Sequence, residues 1–184
     1  MAKIFKLFFI GLFVIVLSGC VSQPIQKDFS FEYNWFGKMV PAPEHNEYII
    51  SVSPDGKGKL LYYADYSIKS VEEDKLWKRE FTVSLEQMKQ TYQEMNSRNV
   101  FNDKNLAEDK VNVRENYGDL VVQVDKVKHF ININDTSDTS VKELEQIVKK
   151  VVPNNIWAEM DAKIELDKSK NNDVLDYELP ELQY

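Results

Sequence analysis

The stretch Tyr48-Ile49-Ile50-Ser51-Val52-Ser53, followed by Pro54-Asp55-Gly56-Lys57-Gly58 and then by Lys59 to Tyr66, decides the fold. Tyr48, Ile50 and Val52 alternate along the first arm, and Leu60, Tyr62 and Ala64 alternate along the second. Between the arms, Pro54 presets a turn and the glycines supply positive φ, so the stretch predicts a β-hairpin. Strands joined by so short a turn are antiparallel, because a parallel pair needs a crossover of a dozen or more residues.

The flanks extend the same architecture. Phe29, Phe31, Tyr33 and Trp35 alternate with Ser30, Glu32 and Asn34, the period of a half-buried strand. A row of aromatics also suits a sugar-stacking platform, but a sheet's core face accounts for it with no further assumption. Gly37 to Asn46, with Pro41 and Pro43, reads as a loop. Ser67 to Lys75 is charged and exposed, and Leu76 to Val83 gives another strand with Trp77, Phe81 and Val83 on one face.

Two helices follow strands. Ser84-Leu85-Glu86-Gln87 has the form of a capping box, and Leu85, Met88, Tyr92 and Met95 draw one apolar stripe behind it. Asn102 to Gly118 is polar, with a short strand around Val111 and Val113. A second hairpin runs from Leu120 to Val124 and returns as His129 to Asn134 around Asp125 to Lys128. Ser140-Val141-Lys142-Glu143 repeats the capping box, Val141, Leu144, Val148 and Val151 repeat the stripe, and Pro153 enforces the stop. Asn155 to Leu166 reads as a third, short helix. The pattern predicts the α+β class: an antiparallel sheet built from hairpins, with two main helices packed on one face. The recurrence of a hairpin and a Ser-capped helix hints at duplication, although both are common parts.

The amino terminus belongs to a different grammar. Lys3 and Lys6 precede an apolar run from Leu7 to Leu17, and the run ends in Leu17-Ser18-Gly19-Cys20. At eleven residues the run is shorter than the ~20 a permanent spanning helix needs, so it reads as a removable export signal. The tetrad resembles the lipobox of bacterial lipoprotein precursors at all four positions. That resemblance covers residues 1–20 only. It implies diacylglyceryl transfer to the Cys20 thiol, cleavage between Gly19 and Cys20, and acylation of the new amino terminus. Val21 after the cysteine, where Asp is the family's inner-membrane retention residue, implies the outer membrane if the cell has one, and otherwise the outer leaflet of the plasma membrane. One acyl chain holds a protein only marginally, and several hold it firmly.

These readings divide the chain into a signal peptide (1–19), the lipidated Cys20 with a short spacer (20–27), a single α+β domain (28–166) and an acidic, flexible tail (167–184). The 184 residues carry a net charge of -7, from 23 basic and 30 acidic side chains. Loss of Lys3 and Lys6 with the signal leaves 21 basic against the same 30 acidic, a charge of -9. Such a surface disfavours nucleic acid and anionic lipid, which attract basic patches. With its one cysteine committed to lipid, the chain forms no disulfide and offers no thiol catalysis or Cys-based metal site.

Candidate chemistry is sparse. The two histidines are His45 and His129. His45 lies between Glu44 and Glu47, a conceivable metal set, but a solvated loop is the plainer reading. His129 starts a strand within reach of Asp125 and reads as a structural or exposed residue. Asn132, Asn134, Asp135 and Asp138 lack the glycine and terminal glutamate of an EF-hand loop, and read as turn and capping chemistry. Phosphate-loop, nucleophile-elbow and zinc-protease motifs are absent.

No cofactor and no metal are expected. The sequence therefore predicts a non-enzymatic, lipid-anchored envelope protein that binds another envelope protein or supports an assembly. Candidate contact residues are Tyr62, Tyr63, Tyr66 and Trp77, on the argument that a sheet covered by helices on one side shows aromatics on the other. Core packing explains any one of them as well. Two other readings stay open: an envelope hydrolase using paired carboxylates, which needs two acidic groups in one cleft with one pKa raised, and a lipoprotein binding a small ligand or sugar.

Overall fold

Ser53 to Lys57 closes the first hairpin. The N–H of Gly56 donates to Ser53 O at 2.9 Å, and the N–H of Ser53 donates to Lys57 O at 2.9 Å. Gly56 adopts φ +79°, and a Cβ there would lie 2.5 Å from Val83 O, so both backbone conformation and space require glycine. The computed structural model describes residues 25, 27–38, 40, 45–65, 68–73, 76–101, 117–133 and 139–175.

Among these residues the strands are β1 (Ser30–Phe36), β2 (Glu47–Val52), β3 (Lys57–Tyr63), β4 (Trp77–Thr82), β5 (Tyr117–Val124) and β6 (Val127–Asn132). They form one sheet in the order β4-β3-β2-β1-β5-β6, antiparallel at every junction. The α-helices are α1 (Leu85–Ser97), α2 (Thr139–Lys149) and α3 (Asn154–Leu175), and a 3-10 turn spans Ile68–Ser70. The fold is α+β. β1 stands between the two hairpins, pairing with β2 on one side and β5 on the other.

Register converts the alternation of each strand into rows across the sheet. On one face Arg79, Leu60, Ile50, Tyr33, Leu120 and Ile131 stand side by side, as do Trp77, Tyr62, Tyr48, Trp35 and Gly118. This face carries the core. Phe29, Phe31 and Tyr33 are 1–3% exposed, so the aromatic row is packed and is not a sugar platform. Ring and space interlock here: a Cβ on Gly58 would meet the Phe81 ring at 2.2 Å, and one on Gly118 would meet the Tyr33 ring at 2.6 Å.

Helix α1 begins as its capping box dictates, with Gln87 N–H donating to Ser84 Oγ at 3.2 Å and Ser84 N–H donating to Gln87 Oε1 at 3.0 Å. Met88, Tyr92 and Met95 are buried, whereas Leu85 is 74% exposed, so the stripe meets the core from the second turn onward. From α2 the core takes Leu144, Ile147 and Val148, and from α3 Ile156 and Met160.

All three helices contribute to the core cluster. Two departures from the expected elements have physical causes. The third helix is long: it runs past Leu166 to Leu175 because no glycine or proline occurs between Pro153 and Pro180, and Lys163–Asp167 and Lys168–Glu165 pairs bridge successive turns. Finally, the β5–β6 connection is the two residues Asp125 and Lys126, both at positive φ, where the sequence suggested four. The expected strand around Val111 and Val113, residue Tyr66, and residues 1–24 and 176–184 lie outside the described residues.

Candidate functional site

The face of the sheet opposite the core is divided into a covered half and an open half. The covered half begins where Glu47 stands in register with Phe36 and Tyr63. The 3-10 turn folds over it: Ile68 is buried, and its N–H donates to Glu47 Oε2 at 2.8 Å. Lys69 Nζ sits 5.6 Å from the centre of the Phe36 ring.

His45 completes this arrangement. It is 2% exposed and Glu47 is 4% exposed, so the loop reading of His45 as solvated is corrected: the β2 entry carries it beneath the turn. Its Nδ1 lies 2.7 Å from Lys38 O, a carbonyl that only accepts, so Nδ1 carries the proton. Nε2 lies 3.1 Å from Glu47 Oε1. Both ring nitrogens are therefore engaged by the protein, and neither is open to a metal. Glu44 lies outside the described residues, and among those described no group of three His, Cys, Asp or Glu side chains is placed to hold a metal ion.

The next row, toward the middle of the face, includes Asn34 and Asp119, in register with each other and with Asn132. Asn34 is 1% exposed; its Nδ2 donates to Glu32 Oε1 at 3.2 Å, while its Oδ1 has no hydrogen-bond partner among the described residues. Burial pushes the Asp119 carboxyl above its ordinary range, and Lys69 pulls the other way.

Beyond this row the face is open. Glu80, Lys59, Ser51, Glu32, Val121 and Phe130 cross it in one line, and Thr82, Lys57, Ser30, Gln123 and Lys128 contribute the next. Together they line a trough of about 930 Å³ that reaches from β4 to β6. Most of its charge is answered locally. Lys57 Nζ is 2.7 Å from Asp55, and Lys59 Nζ is 2.8 Å from Glu73. The lysines hold those carboxyls below the usual range, Lys57 with help from Ser53 at Asp55, and Lys59 with Lys78 at Glu73. The β6 end differs: Phe130 is 59% exposed beside Val121.

The acids of the trough are spread across the sheet. Glu32 and Glu80 both line the trough, but β2 and β3 separate their strands. Three strand spacings place their backbones ~14 Å apart. Lys59 stands between them, and Asp119 does not line the trough.

The aromatic residues suggested by the sequence do not form one patch. Tyr62 is 2% exposed, on the core face and edge-on to Trp77 with ring centres 6.4 Å apart; it is a core residue and offers no contact surface. Trp77 is half-buried on the same face, with the Arg79 guanidinium 4.7 Å from its ring centre. Tyr63 is half-buried on the opposite face, and Tyr66 lies outside the described residues. His129 is 8% exposed and its ring centre lies 5.7 Å from that of Phe101. The exposed aromatic is Phe130. Its signal was present in the sequence, because Ile131 and Ile133 point inward and period two then turns Phe130 out.

No family model matches the chain, and no curated protein matches it. Among the described residues no helix is long and apolar enough to cross a membrane.

Proposed function

We propose that this protein is a non-enzymatic lipoprotein of the cell envelope, held to the membrane by an acylated Cys20, whose open sheet face binds another envelope protein. The observation that carries the binding reading is the trough, which crosses every strand of the sheet on the side away from the helices. Lys57, Lys59 and Glu80 are answered by Asp55, Glu73 and Lys78 at its margin, so a partner is recognised through shape, hydrogen bonds from Ser30, Ser51, Thr82 and Gln123, and the apolar Val121–Phe130 end. The anchor reading rests on Leu17-Ser18-Gly19-Cys20 and the short apolar run before it. Val21 favours the outer membrane where the cell has one. The acidic balance of the chain argues against nucleic acid as a partner.

The test is cross-linking in intact cells with the native chain, a Cys20→Ala form and a trough variant, Ser51→Arg, followed by mass identification of what is captured. A protein captured by the native chain and lost from both variants supports the proposal. Capture that survives Ser51→Arg sinks the trough as the binding face, and firm membrane attachment of Cys20→Ala sinks the lipid anchor.

A further inference from the structure

The two edges of the sheet are unlike. Hydrogen bonding fixes which residues of each edge strand turn their backbone outward. The N–H of Ile133 donates to Gly118 O at 2.7 Å, so Gly118 and Ile133 are a hydrogen-bonded pair. Alternate pairs toward the turn, Leu120 with Ile131 and Val122 with His129, are then bonded too. Lys128 and Phe130 therefore direct N–H and C=O away from β5. On β4 the N–H of Val83 donates to Gly56 O at 2.8 Å, which turns Lys78, Glu80 and Thr82 outward by the same rule.

The β4 edge is guarded by charge. Lys78 and Glu80 lie within 3.7 Å of each other, and Arg79 pairs with Glu159 at 2.5 Å. Such charges are the usual protection of an edge strand against pairing. β6 has one described neighbour, β5; its charge is the exposed Lys128 alone, and its exposed apolar groups are Phe130, at 59%, and Val127, at 50%.

We propose that β6 is the site at which a second copy of this chain pairs, antiparallel and two-fold symmetric about Phe130. Centred there, the pairing sets Phe130 against Phe130, exchanging two backbone hydrogen bonds and joining two aromatic rings across the strands. It sets Lys128 of each copy beside Asn132 of the other, a neutral side chain. Centring on Lys128 instead would oppose two cations directly, which destabilises a strand pair, and centring on His129 or Ile131 would set Phe130 against Lys128 or Asn132 and leave no aromatic pair. One register alone thus joins Phe130 to its own copy, and that is what selects a second copy over a foreign strand. Pairing β6 with the β4 edge of another copy would meet the guarded charges and generate open-ended fibres.

The two-fold axis of such a pair runs perpendicular to the sheet. Both open faces then lie on the same side, and the two troughs join at their Phe130 ends into one surface across both sheets. The inference goes beyond the function proposed above and does not rest on it, since the pairing follows from edge geometry alone.

The test uses the full chain with Cys20→Ser, so that an introduced thiol is the only one. In a narrow antiparallel pair the facing Cα atoms are ~5.5 Å apart, within the roughly 4.4 to 6.8 Å a disulfide spans. Phe130→Cys should therefore form a covalent dimer under mild oxidation. Lys128→Cys should not, because in this register its two copies are offset by four residues, ~13 Å along the strand. Sedimentation of the chain without either thiol should show a concentration-dependent dimer that Phe130→Lys abolishes while its circular dichroism is unchanged. Equal cross-linking of the two cysteine variants, a mass that stays monomeric at all concentrations, or a dimer untouched by Phe130→Lys would each overturn the proposal.

Discussion

The carboxylate of Asp28, just ahead of β1, accepts the backbone N–H of Lys126 at 2.5 Å, and that of Asp125 at 3.0 Å. A side chain 98 positions away in sequence thus clamps the turn between β5 and β6. The clamp is needed because Asp125 and Lys126 sit at φ 51° and 65°, the conformation of a two-residue type I′ hairpin that Asn-Gly normally supplies.

The clamp makes part of the stability depend on acid. The Lys126 amide, and after it the Asp125 amide, hold the Asp28 carboxyl below its ordinary value of 3.8. A carboxyl with a depressed folded-state pKa contributes stability that is present above the unfolded value and lost as pH falls through the folded one. Asp28→Ala is therefore expected to unfold earlier than the native chain near neutrality, with the gap between them closing below about pH 4. Thermal melts of both proteins from pH 7 downward check this. A gap independent of pH would mean that Asp28 acts through packing alone.

The same turn offers a stabilising substitution. A non-glycine residue in the left-handed region costs about 1 to 2 kcal/mol, and part of the relief on changing to glycine is offset by greater freedom of the unfolded chain. Lys126→Gly should raise stability by about 0.5 to 1 kcal/mol, since the exposed Lys126 side chain leaves no buried contact to lose. Urea denaturation should show a higher midpoint with an unchanged slope. A lower midpoint would show that the lysine side chain itself supports the turn.

The ring of Tyr33 occupies the space over Gly118. A methyl group at Gly118 would stand 2.6 Å from the ring and from the hydroxyl, and Tyr33, 1% exposed, has little room to yield. Gly118→Ala should cost about 1 to 3 kcal/mol, the usual penalty for overpacking a core. Because the clash is with one ring, Tyr33→Leu should relieve it, and the double variant should be less destabilised than the sum of the two single changes. Additivity in a double-mutant cycle would place the strain in the β5 backbone instead.

These contacts show what the sequence could and could not convey. Period two in Phe31, Tyr33 and Trp35, the Pro54 to Gly58 turn and the Ser84 capping box are local signals, and each led to the element that the structure contains. The order of strands was not legible, because nothing local says that β1 lies between the two hairpins. The short turn at Asp125 is not legible for the same reason: Lys126 is a poor residue for a positive-φ turn position, and the group that holds the turn comes from Asp28. The sequence offers Tyr62 as a contact residue because nothing local says which face of the sheet it joins, and it offers His45 as solvated because its neighbours are polar, while their burial depends on Trp77 and on the 3-10 turn at Ile68. Phe130 is legible in its alternation with Ile131 and Ile133.

The buried pair beneath that 3-10 turn gives the sharpest local prediction. Glu47 ties two segments together, accepting the Ile68 N–H on one oxygen and facing His45 Nε2 with the other. Glu47→Ala strands a buried amide and a buried ring nitrogen, and each orphaned group costs about 1 to 3 kcal/mol, so a loss of about 3 kcal/mol is expected. The damage should be local as well as global: exchange of the Ile68 amide should accelerate more than that of amides in β1. Glu47→Gln is expected to be far milder. Its side-chain oxygen can still accept from Ile68, and its NH₂ can donate to His45 Nε2, which has a free lone pair when Nδ1 carries the proton toward Lys38 O. Hydrogen exchange and chemical denaturation of the two variants decide the point. If glutamine is as damaging as alanine, the negative charge of Glu47 holds the turn and not the hydrogen-bond geometry.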